Sequence, residues 1–212
     1  IAMGMKIAIL GAESTGKSTL AHDLTLALKA AGTQAVTVSE YLREWCDLHQ
    51  RTPRPDEQAG IAMEQTRRVA APHGMAVICD TTALMTAIYS DVLFQDITLY
   101  TEALADLRTY SHVLVTGLDL PWVEDSYQRD SPAGQQRVHQ RLQTVLQEHG
   151  IAYSMVWGKG SLRLKAALRI VLPDQMEDEH QAAEQYARWL GQCEKCSDAA
   201  CEHSLFRSLL AR

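Results

Sequence analysis

Apolar and polar positions along the chain follow two alternating periods. Met5–Leu10, Ala35–Val38, Met75–Cys79, Val113–Thr116 and Ile151–Trp157 are short apolar runs, too brief for helices and rich enough in aliphatic residues to predict buried strands. Between them the apolar residues recur at helical spacing. Leu20, Leu24 and Leu28 put one buried stripe on a helix over Lys17–Ala31, closed by Gly32. A second helix begins within Ser39–Trp45, and two prolines in Arg51–Pro55 make that stretch a loop. Asp56 is expected to cap a helix that runs to about Ala71, where Pro72 and Gly74 stop it. Thr82 caps a helix with Leu84, Met85, Ile88 and Val92 on its apolar face, and Leu99–Thr109 is another. Val138, Leu142, Val145 and Leu146 define a helix ending near Gly150, Ser161–Val171 reads as helix, and beyond Pro173 a last helix spans Gln175–Leu190. Five continuous apolar strands alternating with helices predict an α/β fold, a parallel sheet with helices on both faces.

At 212 residues the chain accommodates one domain with a small appendage. A net charge of −6 argues against a partner held by phosphate neutralisation, such as nucleic acid. No apolar run reaches the roughly 18 residues that a membrane span requires, and no signal sequence is evident at the N-terminus. Five cysteines, an odd number, suit a reducing compartment, so a cytoplasmic protein is expected. Residues 1–4 are expected to lie outside the fold, with the main domain over 5–191 and a tail over 192–212.

Gly11-Ala12-Glu13-Ser14-Thr15-Gly16-Lys17-Ser18 satisfies GxxxxGK[ST], the Walker A phosphate loop, directly between the first strand and the first helix. Gly11 and Gly16 permit the backbone torsions that turn successive amides inward as an anion nest, and the helix N-terminus adds its free amides. Glu13, Ser14, Thr15, Gly16, Lys17, Ser18 and Thr19 are therefore expected to line an ATP site, Lys17 neutralising the terminal phosphates and Ser18 holding Mg²⁺.

In an open parallel sheet, ligands gather beyond the carboxyl ends of the strands. Glu40, Asp80 and Asp119 follow the second, third and fourth strands. Asp80 suits the Mg²⁺ shell opposite Ser18, and either Glu40 or Asp80 suits the base that takes an acceptor proton. Against these stand a helix cap for Asp80, and an ion pair with Arg43 or a helix cap for Glu40. Gly117–Gly134, polar and containing Pro121 and several aspartates, is long enough for a functional loop, and a lid is expected over about 120–137.

Asp119-Leu120-Pro121-Trp122-Val123-Glu124-Asp125, with Arg129 downstream, joins the phosphate loop, Ser39-Glu40-Tyr41-Leu42-Arg43, Asp56, Ile61, Ala62, Gln65 and Asp80-Thr81 in a pattern that resembles the ribosylnicotinamide kinase domain of NadR-type proteins. The resemblance covers about Met5 to Leu168. It implies a three-layer P-loop kinase fold and transfer of the ATP γ-phosphate to the ribose 5′-hydroxyl of nicotinamide riboside, giving nicotinamide mononucleotide. On this pattern Trp122, with Tyr41, Trp45 or Tyr89, would stack on the cationic ring. Asp119 and Asp125 would take the ribose hydroxyls, with Glu40 and Arg43 beside them. Arg129 and Arg137 would close on the phosphates. Core packing is the other reading of each aromatic, and solvated surface that of each arginine. A kinase for another nucleoside or small alcohol, or an ATP-binding switch with a partner-docking tail, would carry the same loop. A homo-oligomer is compatible with the pattern.

The tail adds Cys193, Cys196, Cys201 and His203 in the spacing CxxCxxxxCxH. Three thiolates and an imidazole suit tetrahedral Zn²⁺, an unliganded reduced tail and a redox or iron–sulfur role being the alternatives. Cys46 and Cys79 are expected to be ordinary buried thiols.

Overall fold

The structure is a computed structural model that describes residues 4–73, 75–123 and 131–173. Its sheet has five parallel strands, β1 (Lys6–Leu10), β2 (Ala35–Val38), β3 (Ala76–Asp80), β4 (His112–Thr116) and β5 (Ser154–Val156), in the order β2-β3-β1-β4-β5. The helices among the described residues are α1 (Lys17–Ala30), α2 (Tyr41–His49), α3 (Gln58–Ala70), α4 (Ala83–Phe94), α5 (Tyr100–Leu107), α6 (Pro132–Glu148) and α7 (Ser161–Val171), with a 3-10 turn at Pro55–Glu57. The α/β fold, the five parallel strands and the helical layers are those expected from the sequence.

Burial explains why the strands are continuously apolar. Ile7, Ala8, Ile9 and Leu10 alternate across the sheet, yet all four are fully buried, so both faces of β1 are covered. Ala8 and Leu10 join a core with Leu84, Ile88, Leu104, Val138 and Leu142 of α4, α5 and α6. Helix α1 lies along β1, β2 and β3, burying the predicted stripe of Leu20, Leu24 and Leu28.

Three boundaries differ from expectation for local reasons. Strand β5 is shorter than Ile151–Trp157. Its start is taken up by the end of α6, where the Ile151 N–H donates to the Leu146 carbonyl at 2.9 Å, and as an edge strand it pairs with β4 alone. Asp56 does not cap α3. It lies inside the 3-10 turn, whose entry is fixed by Glu57, with the Arg54 N–H donating to Glu57 Oε2 at 2.7 Å. Helix α6 starts two residues before Gly134, because Ser131 caps it, accepting from the Gly134 N–H at 3.2 Å, and Pro132 occupies the first turn.

The chain divides into two compact units, Ile1–Ala167 and Leu168–Arg212. The second is described over 168–173, where the Leu172 N–H donates to the Leu168 carbonyl at 2.7 Å. The helix expected over Gln175–Leu190, and Asp125, Arg129, Cys193, Cys196, Cys201 and His203, lie outside the described residues.

Candidate active site around the phosphate loop

Strand β1 ends at Leu10 and α1 begins at Lys17, so the Walker A residues form the bridge between the central strand and a helix N-terminus. Both glycines are required by the backbone. Gly11 has φ +153° against the Thr116 hydroxyl. Gly16 has φ +75°, and a Cβ there would stand 2.8 Å from Leu120 Cδ1 and 3.1 Å from Arg163 Nη1. Ser14 also takes a positive φ, 56°.

The loop is braced from several elements. Thr116, at the end of β4, donates to Thr15 Oγ1 at 2.7 Å, and Thr15 Oγ1 donates to the Ala12 carbonyl at 2.7 Å. Gln135 of α6 donates from Nε2 to the Glu13 carbonyl at 2.8 Å. The Tyr89 hydroxyl donates to Glu13 Oε2 at 2.7 Å. Lys17 is nearly buried and its ammonium donates to the Ala12 carbonyl at 2.8 Å, whereas Ser18 and Thr19 face solvent.

Strand β3 delivers a carboxylate to this edge. Asp80 is the last residue of β3 and pairs in register with Ile9 of β1; it is 5% exposed, and its Oδ1 has no hydrogen-bond partner. Thr81 follows with φ +74°, a conformation strained for a β-branched residue, and its buried hydroxyl is also unpartnered. Glu13 Oε1 is a third buried acceptor without a partner. Unpartnered buried polar atoms and backbone strain concentrated at one edge mark this end of the sheet as the candidate site.

Glu40 precedes α2, and Arg43 Nε lies 3.8 Å from its carboxylate. The turn that carries Glu40 is clamped by Gln65 of α3, which accepts from the Tyr41 N–H at 2.8 Å and donates to the Ser39 carbonyl at 3.3 Å. Tyr41 lies under the Arg68 guanidinium, 4.3 Å from the ring centre. Trp45 is packed with Leu42, Cys46 and Ile61, stacked on His49 at 3.9 Å and flanked by Arg51 at 4.8 Å.

After β4 the chain turns back over the phosphate loop. Asp119 Oδ2 accepts from the Gly158 N–H at 2.6 Å, and its Oδ1 from Arg163 Nη2 at 2.5 Å. Arg163 Nη1 donates to the Thr15 carbonyl. The Ser14 hydroxyl donates to the Val123 carbonyl at 2.6 Å. Trp122, half-buried between these two ties, has an indole N–H with no partner.

The structure thus gathers Gly11 to Lys17, Tyr89, Asp119 and Trp122 around one loop. It places Tyr89 against Glu13 and Trp45 within an apolar cluster, and leaves Arg137 exposed on α6. Sequence reasoning placed Thr81 in the pattern without a role and missed Thr116, Gln135 and Arg163. Thr116 had a signal, a hydroxyl at the end of a buried strand; Gln135 and Arg163 had none, since each reaches the loop from a distant helix. Among the described residues no group of three or more His, Cys, Asp or Glu is placed to hold a metal, and no helix is long and apolar enough to cross a membrane.

One solved structure similar to this chain is the crystal structure of NadR protein in complex with NR, with a TM-score of 0.60 and 22% sequence identity. The match covers 74% of this chain and 44% of the NadR chain, so this chain spans less than half of that protein's length, and the likeness establishes the fold. None of the curated proteins matches by sequence. A family model described as AAA domain matches residues 6–165, most of the chain and all of the sheet with its phosphate loop. By that match, and by the nucleotide loop and parallel sheet just described, the chain belongs to the AAA domain family.

Proposed function

We propose that this domain is an ATP-dependent kinase of the cytoplasm that phosphorylates the ribose 5′-hydroxyl of nicotinamide riboside, giving nicotinamide mononucleotide. The observation that carries the reading is the tie between the phosphate loop and the tryptophan-bearing loop, with Ser14 bonded to Val123 at 2.6 Å and Arg163 bridging Thr15 and Asp119. In this reading the tie would hold Trp122, as an aromatic recognition surface, beside the position of a transferring phosphoryl group. The NadR fold, from a protein whose structure holds NR, supports the choice of acceptor.

The electrostatics agree with a cationic acceptor. Glu13 is a buried carboxylate that forms no ion pair among the described residues. A buried anion is costly unless something compensates it. A pyridinium riboside with two ring hydroxyls supplies both a positive charge and hydrogen-bond donors. Trp122 offers a ring face for the cation, worth about 0.5–2 kcal/mol, and an unsatisfied N–H for a polar edge.

Lys17 and the amides of Gly16 to Thr19 would bind the terminal phosphates. Asp80 Oδ1, buried and unpartnered, and the exposed Ser18 hydroxyl fit the two protein ligands of a Mg²⁺ shell. The ion's chemistry is neutralisation of charge on the transferring phosphoryl oxygens. Glu40, restrained at its turn by Gln65, would take the acceptor proton. Asp125, Arg129 and Arg137 would complete the lid.

The test is a steady-state survey of purified protein with MgATP against nicotinamide riboside, ordinary nucleosides and water. Release of ADP that depends on the riboside supports the reading. Turnover with another acceptor, or with water alone, replaces it with a different kinase or an ATPase switch.

A further inference from the structure

We infer that Arg163 is a positioning residue that couples the two halves of the site: one arm polarises the phosphate loop, the other holds the acceptor loop in register. The inference rests on the kinase reading above for its acceptor half alone.

Arg163 stands in the first turn of α7, 148 residues from Thr15 and 44 from Asp119. The residue is 4% exposed. A buried cation at such a place persists only when its hydrogens are taken up by good acceptors. Nη1 is given to the Thr15 carbonyl and Nη2 to Asp119, while Nε has no partner. No other acidic side chain lies within ion-pair distance of it among the described residues.

The choice of carbonyl matters. The Thr15 C=O and the Gly16 N–H belong to one peptide unit, and Gly16, at φ +75°, is the residue that turns its amide into the anion nest. A cation on the carbonyl oxygen withdraws charge through the peptide and strengthens its N–H as a donor, the cooperativity expected of chained hydrogen bonds. Arg163 therefore acts on bound phosphate through the Thr15–Gly16 peptide. It also packs where a Gly16 side chain would be, which fixes the loop sterically.

Asp119 completes the device. One of its oxygens is committed to Arg163 and the other to the Gly158 N–H at 2.6 Å. The carboxylate thus joins the β5–α7 turn to the loop that carries Trp122, and it acts on the acceptor by placing that loop. Coupling of this kind is reciprocal, so nucleotide and acceptor each tighten the other.

The experiment uses the full chain with Arg163→Met, Arg163→Gln, Arg163→Lys, Asp119→Asn and the Arg163→Met/Asp119→Asn pair, each checked by thermal melting. Calorimetry with a non-hydrolysable ATP analogue and Mg²⁺ reads the nucleotide half, and KM for nicotinamide riboside reads the acceptor half. Loss of one charged hydrogen bond predicts a Kd for the analogue raised about tenfold in Arg163→Met. Asp119→Asn is expected to raise the riboside KM, and the double variant to be no worse than about twofold beyond the worse single, since both remove one bridge. Arg163→Lys, with its charge but a single point of donation, is expected to recover nucleotide affinity and leave the riboside KM high. Should Arg163→Met melt without a cooperative transition, Arg163→Gln decides the nucleotide arm: an analogue Kd within twofold of wild type there contradicts the bridge, and an unchanged riboside KM in Arg163→Lys does likewise. An analogue Kd within twofold of wild type in a folded Arg163→Met, or single effects that multiply in the double variant, overturns the inference. Absence of any riboside turnover in the wild type defeats the acceptor reading, and the calorimetric arm still decides the role of Arg163.

Discussion

The Tyr89 hydroxyl donates to Glu13 Oε2 at 2.7 Å, joining α4 to the phosphate loop across 76 residues of sequence. Both side chains are nearly buried, and the second Glu13 oxygen has no partner. Tyr89→Phe would leave the carboxylate with no described hydrogen bond. The expected cost is about 1–3 kcal/mol of stability, read as a lowered urea midpoint with unchanged slope. A midpoint equal to that of wild type would mean that the Glu13 carboxyl needs no such donor.

Lys17→Ala removes the only ammonium of the Walker A sequence. Turnover should fall by about 10²–10³-fold or more, as for the loss of a principal charge stabiliser. Trp122→Ala should instead raise the riboside KM by about tenfold while nucleotide affinity stays within a factor of two. Equal effects of the two substitutions on nucleotide binding would remove Trp122 from the acceptor surface.

How far the site was legible in the sequence follows from how each part is encoded. The phosphate loop is contiguous, and its glycines answer to backbone torsion, so eight adjacent residues announced it. The strands were legible because both faces of the sheet are covered, which makes each strand a continuous apolar run. Arg163 and Gln135 were not, because a single polar residue on a helix looks solvated until the packing brings it to Thr15 or Glu13. Tyr89 and Trp45 were ambiguous for a related reason: spacing shows that an aromatic is buried, not whether it is buried against protein or ligand. Tyr89 proved to face Glu13, and Trp45 to pack with Leu42, Cys46 and Ile61.

Thr81 is held at φ +74°, with its hydroxyl buried and unpartnered, next to Asp80. Thr81→Gly relieves a strain of about 1–3 kcal/mol, offset in part by the flexibility of glycine in the unfolded chain. Net stabilisation of about 1 kcal/mol is expected, together with reduced turnover if strain and hydroxyl serve the site. A loss of stability would show that the torsion is not strained.

Stability should decline on mild acidification. Burial holds His139 below the ordinary imidazole value, and His112 likewise. Below pH about 6.5 the unfolded chain takes up protons at these imidazoles before the folded chain does. Stability contributed by the neutral native rings is therefore complete above that pH and lost as pH falls toward the lower folded values. Glu57, hydrogen-bonded to Arg51 and held at about 2, contributes in a separate window, full above the usual carboxylate range and lost as pH falls through about 2. Urea midpoints between pH 8 and pH 5 should slope downward with acid in the wild type and less steeply in His139→Leu. An identical slope in the variant would place the proton uptake elsewhere.

The most direct measurement is mass and phosphorus NMR analysis of the products after incubation with MgATP and nicotinamide riboside, with ADP quantified in parallel. The account predicts one mononucleotide per ADP, phosphorylated at the ribose 5′-oxygen, and about 10²-fold less or lower still from Lys17→Ala. ADP without a phosphorylated riboside, or phosphate on a different hydroxyl, would contradict it.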